Sequence, residues 1–125
     1  MPELLKPIEW VASSRRDLKR LPDRVCRKMG YALYRAQQGA TAEITKPLKG
    51  LGAGVVEVSA EHDGNAFRAV SPVRFTRAIY VLHVFNKKSK SGIATPKTEI
   101  DVVRSRLRIA AEHYRMNYEK DSNDA

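Results

Sequence analysis

Apolar and polar positions change period along the chain, and each change predicts an element. Ile8 to Val11 is a short apolar run that predicts a first strand. Ser13 or Ser14 then offers an N-cap, and Asp17, three residues after Ser14, resembles a weak capping box, so a short helix is expected to about Arg20. Pro22 suits the first turn of a second helix, where Val25, Met29, Leu33 and Ala36 recur at spacings of three and four and mark one buried face. Gly39 is placed to end that helix in the left-handed conformation. The opposite face carries Arg24, Arg27, Lys28 and Arg35, either a solvated surface or a binding one.

From Ala53 the period becomes two. Val56, Val58 and Ala60 share one face, and Val55, Glu57, Ser59 and Glu61 the other. Asp63-Gly64 between alternating runs is a strong hairpin signal. With those two as the turn residues, Ala60 pairs with Phe67, Val58 with Ala69, Ser59 with Arg68 and Glu57 with Val70. Arg68 then lies diagonal to Glu57 on the polar face. A third strand is expected from Ala78 to Phe85, apolar on both faces as a covered central strand requires. It ends in a basic loop, Asn86 to Gly92. Thr95 with Pro96 at the first helical position opens a last helix whose buried face is Ile100, Val103, Leu107, Ala110 and Tyr114, with Arg104 and Arg108 on a more exposed side. The order is strand, two helices, a three-stranded antiparallel meander and a C-terminal helix. Such runs of like elements argue for an α+β domain rather than an alternating α/β one.

Charge changes the picture more than composition does. Lys and Arg number 23 against 14 Asp and Glu, giving +9 and a pI near 9.9. A field of that sign attracts polyanions, whose condensed counterions are released on binding; a soluble basic surface, or one matched to an acidic protein, has the same signature. The chain of 125 residues reads as one domain, 1–125, with 119–125 a polar tail, and is large enough to bury a core without staples. No apolar run approaches the ~18–20 residues a membrane span needs. Lys6, Pro7 and Glu9 interrupt the apolar residues near the N-terminus, unlike a signal peptide. The single cysteine, Cys26, reads as helix core packing and suits a reducing compartment, so a cytoplasmic location is expected.

Candidate chemistry is sparse. His62, His83 and His113 are isolated and Cys26 has no second thiol, so neither a metal site nor a cofactor is expected. Gly50-Leu51-Gly52-Ala53-Gly54 is no phosphate loop, because a strand rather than a helix follows it. What remains is a set of cations and one carboxylate in the sheet region: Lys46 and Lys49 ahead of the meander, Glu57 and Arg68 on its polar face, Lys87 and Lys88 at the exit of the last strand. Cleavage of RNA by its own 2′-hydroxyl needs alignment, neutralisation of phosphorane charge, a base and a proton for the leaving oxygen. Arg and Lys supply the neutralisation, and the 2′-hydroxyl supplies specificity for RNA. Each residue also has a plainer reading. Arg68 pairs with Glu57 across the hairpin, Lys87 and Lys88 form a solvated loop or an electrostatic handle, and His83 is a core histidine rather than a base.

The segment Lys46-Pro47-Leu48-Lys49-Gly50-Leu51-Gly52, then Val56-Glu57-Val58, Phe67-Arg68 and Val81-Leu82-His83-Val84-Phe85-Asn86-Lys87-Lys88, resembles the phage-related HigB-like branch of the RelE/ParE toxin superfamily. Ile8-Glu9-Trp10-Val11, Asp17-Leu18, Leu21-Pro22 and Gln38-Gly39 are similar to that family's first strand and helical hairpin, and Thr95-Pro96 with the helix from Glu99 continues the likeness, over roughly residues 7–110.

The resemblance implies an α+β toxin of a type II toxin–antitoxin system that cleaves mRNA in the ribosome and arrests translation without a metal. It implies a partner antitoxin, in this branch often a helix-turn-helix DNA-binding protein, and no membrane partner. By position it matches Arg68 to the family's strand arginine, Lys46 and Lys49 to its basic entry, Lys87 and Lys88 to its basic strand end, and Glu57 to a glutamate of structural or orienting role. With the residues read above, the catalytic candidates are Arg68, Lys46, Lys87, Glu57 and His83, and the candidates for contact with RNA or the ribosome are Lys49, Lys88, Lys90, Arg74 and Arg77. The family's tyrosine near the C-terminus has no motif match: Tyr114 and Tyr118 lie in a long helix, and Ser71 to Arg77 departs from the commoner sequence. The same fold also carries ParE-like inhibition of DNA gyrase, and a noncatalytic phage protein that binds nucleic acid or a partner is a further alternative.

Overall fold

A computed structural model describes residues 5–52, 54–73, 75–87 and 95–119. Arg74, Lys88, Lys90 and residues 120–125 of the expected tail lie outside the described residues. The elements are β1 (Ile8–Trp10), α1 (Ser14–Lys19), α2 (Asp23–Gln37), β2 (Thr45–Pro47), β3 (Val55–His62), β4 (Asn65–Pro72), β5 (Ile79–Val81), β6 (His83–Lys87) and α3 (Lys97–Tyr114), closed by a π-helical turn, Arg115–Glu119. The fold is α+β, with a four-stranded antiparallel sheet in the order β2-β3-β4-β6 and a parallel pair, β1-β5, beside it.

The β3–β4 hairpin has the expected register: Ala60 opposes Phe67, Val58 opposes Ala69, Ser59 opposes Arg68 and Glu57 opposes Val70. Asp63 and Gly64 turn the chain with φ of 50° and 78°, the paired positive values that a tight two-residue turn between right-twisted strands demands.

Three features depart from expectation. The continuous third strand is two: β5 runs parallel to β1, the chain breaks at Leu82, and β6 joins the antiparallel sheet beside β4. Leu82 is fully buried and its amide donates to the Val70 carbonyl at 2.8 Å, so the break costs no backbone hydrogen bond there. The strand also continues through Asn86 and Lys87, which were expected in the basic loop. Lastly, β2 adds a short edge strand to the meander, with Lys46 opposite Glu57.

Helix ends shift by one residue. Pro22 and Pro96 are N-caps rather than first helical residues. Ser13 caps α1 in sequence, but its hydroxyl donates to the Asp17 carboxylate at 2.7 Å instead of accepting a backbone N–H. Gly39 follows α2 at φ 83°, as expected. Cys26 is half-buried, its thiol donating to the Leu18 and Leu21 carbonyls at 3.1 and 3.4 Å.

Two apolar clusters sandwich the sheet. Val25, Met29, Ala32 and Leu33 of α2 pack against Val58, Ala60, Phe67, Ala69 and Val84 on one face. Val103, Leu107, Ala110 and Tyr114 of α3 pack against Val55, Val70, Tyr80, Leu82 and Phe85 on the other, with Ile100 partly buried at the edge. The period-two pattern of β3 thus sends one set of residues to α2 and the alternate set to α3.

Candidate active site beneath the last helix

Register does the positioning. Residues paired across antiparallel strands share a face. Lys46 opposes Glu57, Arg68 lies between Ser59 and Phe85, Lys87 opposes Ala66 and His83 opposes Val70. Lys46, Glu57, Arg68, His83 and Lys87 therefore all project from the face that α3 covers.

Glu57 and Arg68 form the centre. Arg68 Nε stands 3.4 Å from Glu57 Oε1, close enough for an ion pair but without the alignment of a hydrogen bond. Their side chains are only 11% and 13% exposed, so this pair is held away from the solvent that weakens surface pairs. Arg68 also donates from Nη1 to the Phe67 carbonyl at 3.3 Å, and Thr95 Oγ1 donates to Glu57 Oε2 at 3.2 Å. A cavity of about 230 Å³ opens beside the pair, lined by Leu48, Lys49, Glu57, Lys87, Thr95 and Ile100. Lys46 and Lys49 are exposed, Lys49 in the cavity's lining, whereas Lys87 is 6% exposed. The arrangement is a cationic pocket with one orienting carboxylate, roofed by the start of α3.

His83 stands one strand step beyond Phe85, on which its ring stacks at 4.9 Å. Its Nε2 lies 3.1 Å from Glu99 Oε2, and its Nδ1 lies 3.2 Å from Arg106 Nη1. A guanidinium only donates, so Nδ1 accepts and Nε2 carries the proton toward Glu99. Burial holds the imidazole pKa below its ordinary value; Glu99 opposes that shift and Arg106 adds to it. Arg106 also donates to the Leu82 carbonyl at 3.0 Å and to Ser13 Oγ at 3.3 Å, which in turn bonds Asp17. This chain of polar groups ties α1, β6 and α3 together. Both ring nitrogens of His83 are engaged in it.

Arg77 lies elsewhere. Its amide donates to the Tyr114 hydroxyl at 3.1 Å and its guanidinium to the Tyr118 carbonyl, at the far end of a helix about 27 Å long. There Phe75, Tyr80, His113, Tyr114 and Tyr118 form an aromatic cluster. The Tyr80 hydroxyl stands 2.6 Å from His113 Nδ1, and Tyr118 donates to Glu9 at 3.0 Å. Burial raises both phenols and the Glu9 carboxylate adds to it, pushing Tyr118 up to about 12. They are neutral hydroxyls at ordinary pH, and they anchor the end of α3 to β1.

Sequence reasoning missed Thr95, Glu99 and Arg106 as partners of this face. A signal was present: Glu99, Val103 and Arg106 fall at i, i+4 and i+7, so two charges share the stripe of a fully buried valine. Among the described residues, no group of three His, Cys, Asp or Glu side chains is placed to hold a metal, and no helix is long and apolar enough to cross a membrane.

Comparison with curated proteins gives no match. A solved structure similar to this chain is the RelBE2 toxin–antitoxin complex from Mycobacterium tuberculosis, with a TM-score of 0.46 and 18% identity, covering 70% of this chain and 98% of that one. The family model for the phage-derived Gp49-like proteins matches residues 16–108, which take in the helical hairpin, the whole sheet face with Lys46, Glu57, Arg68, His83 and Lys87, and most of α3. The chain belongs to that Gp49-like family (DUF891), a family of RelE-type toxins.

Proposed function

We propose that this protein is the toxin of a type II toxin–antitoxin pair and a ribosome-dependent mRNA endoribonuclease of the HigB-like branch. It acts in the cytoplasm and is restrained by a helix-turn-helix antitoxin. The observation that carries the reading is that Lys46, Glu57, Arg68 and Lys87 share one sheet face, on which Glu57 and Lys87 line a pocket. In the reaction the substrate's 2′-oxygen bonds to the adjacent phosphorus and the bond to the 5′-oxygen breaks. The products are a 2′,3′-cyclic phosphate and a 5′-hydroxyl, and the proton leaves one oxygen and is returned to the other. Arg68 neutralises the phosphorane with its planar fork, Lys87 and Lys46 add positive charge, and Glu57 holds Arg68 in orientation. Lys49 and, in the segments on either side of the described strands, Arg74, Lys88 and Lys90 bind RNA or the ribosome. Arg77, bonded to Tyr114 and Tyr118 at the other end of α3, makes a separate contact with RNA or the ribosome.

His83 in this conformation is a positioning residue. Proton abstraction by its Nδ1 requires Arg106 to release it first. Because Glu57 and Arg68 are nearly covered, substrate reaches them only when Thr95 and the first turn of α3 move off Glu57.

Induced expression in growing bacteria with 5′-end mapping of mRNA, beside Arg68→Ala, tests the reading. New in-frame ends are expected with the wild type. Loss of one preorganised charge donor lowers their yield by roughly 10²–10³ while the variant stays folded. Undiminished cleavage by Arg68→Ala removes its catalytic role. Growth arrest with intact mRNA and broken DNA turns the reading to gyrase instead.

A further inference from the structure

The α2 side of the molecule holds charge that the candidate active site does not use. Residues 14–37 carry eight cations and two carboxylates, a net +6 out of the chain's +9. On α2 itself Arg24, Arg27, Lys28, Tyr31, Tyr34 and Arg35 fall within one arc of about 120°, a stripe about 16 Å long. Tyr31 and Tyr34 are 61% and 44% exposed although most tyrosine surface is apolar. Among the described residues no carboxylate pairs with Arg24, Arg27 or Lys28, and Arg35 bonds only the neutral Gln38 amide. Beside the stripe runs a groove of about 920 Å³ whose far wall carries Glu43 and Glu61. Those carboxylates repel an anion from the groove and confine it to the ridge of α2.

We propose that this face of α2 is an RNA-binding surface separate from the candidate active site, with the cations on backbone phosphates and Tyr31 and Tyr34 stacking on unpaired bases. Arginine forks match phosphate geometry, and phenol faces interleaved with cations favour a single strand over an acidic polypeptide, which offers no planar bases to stack. The inference stands without the cleavage reading, because a chain that cuts nothing still carries the surface.

Fluorescence anisotropy of the full chain with a labelled oligouridylate and with an RNA duplex of equal length tests it. The triple variant Arg24→Gln/Arg27→Gln/Lys28→Gln keeps helix propensity, and a rise in Kd of at least tenfold is expected. The slope of log affinity on log salt shrinks by about 2, for three phosphate contacts at ~0.7 each. Tyr31→Ala/Tyr34→Ala weakens single-strand binding at least tenfold and leaves duplex binding within about twofold, since stacking needs an unpaired base. Unchanged affinity and slope in the triple variant overturn the proposal. So does a triple variant that loses only its grip on an acidic protein. If the α2 variants lose RNA while the wild type makes no new mRNA ends, this surface stands and the nuclease reading falls; cleavage with binding independent of α2 gives the reverse.

Discussion

His83 shows what a single residue contributes here. Its ring bridges Glu99 and Arg106 while stacked on Phe85, and burial keeps it neutral. The sign of the linkage follows from that depressed value. Above the ordinary value of 6.5 the imidazole is neutral in folded and unfolded chains alike. As pH falls below it, the unfolded chain takes up the proton first, so stability declines and levels off only below the folded value. Thermal melts between about pH 5 and 8 are expected to show this loss in the wild type and a flatter profile in His83→Gln; parallel profiles would refute it. The histidine's burial was legible in its strand of apolar neighbours. Its partners were not, because Glu99 and Arg106 lie 16 and 23 positions away and only the packing of α3 brings them back.

At the scale of elements, period decided what was legible. The β3–β4 hairpin alternates strictly and has a turn that fixes its register, so a one-residue slip would have reversed its faces. Two elements offered no such pattern. The run from Ile79 to Phe85 is buried on both sides, and a run apolar throughout carries no mark of where one sheet ends and the next begins. Thr45–Pro47 is too short to show a period, and its proline fits an edge strand, where no ladder donor is required on the open side. Leu82, at the junction, belongs to neither strand; its amide bonds Val70 and its side chain fills the core beneath α3. Leu82→Ala is expected to cost about 2–5 kcal/mol, the usual range for a fully buried leucine. Denaturant unfolding measures it, and a loss below about 1 kcal/mol would mean that the junction repacks around the gap.

At the scale of the whole molecule, the sheet separates two cationic surfaces. Strand alternation sends Lys46, Glu57, Arg68 and Lys87 toward α3, while α2 carries its arginines on the other side. The face of Glu57 and Arg68 was legible from alternation alone. The burial of Lys87 and the roof formed by Thr95 were not, since each depends on where β6 ends and how α3 returns. The two surfaces lie on opposite sides of the sheet, and sites more than about 7–10 Å apart without shared partners act independently. Combining Arg68→Ala with the α2 triple variant is therefore expected to give RNA-binding losses that add to within about 0.5 kcal/mol; a larger coupling by anisotropy would show that one strand of RNA engages both faces at once. The parallel pairing of β1 with β5 bears on a different matter, the order of assembly. Its partners Ile8 and Ile79 are 71 positions apart, whereas the β3–β4 hairpin closes on two turn residues. Loop closure disfavours the distant pair, so the nascent chain forms the hairpin early and recruits its own N-terminal strand late. Until β5 emerges from the ribosome, β1 has nothing to pair with. A fold built this way stays unfinished until translation has run some seventy residues past its first strand.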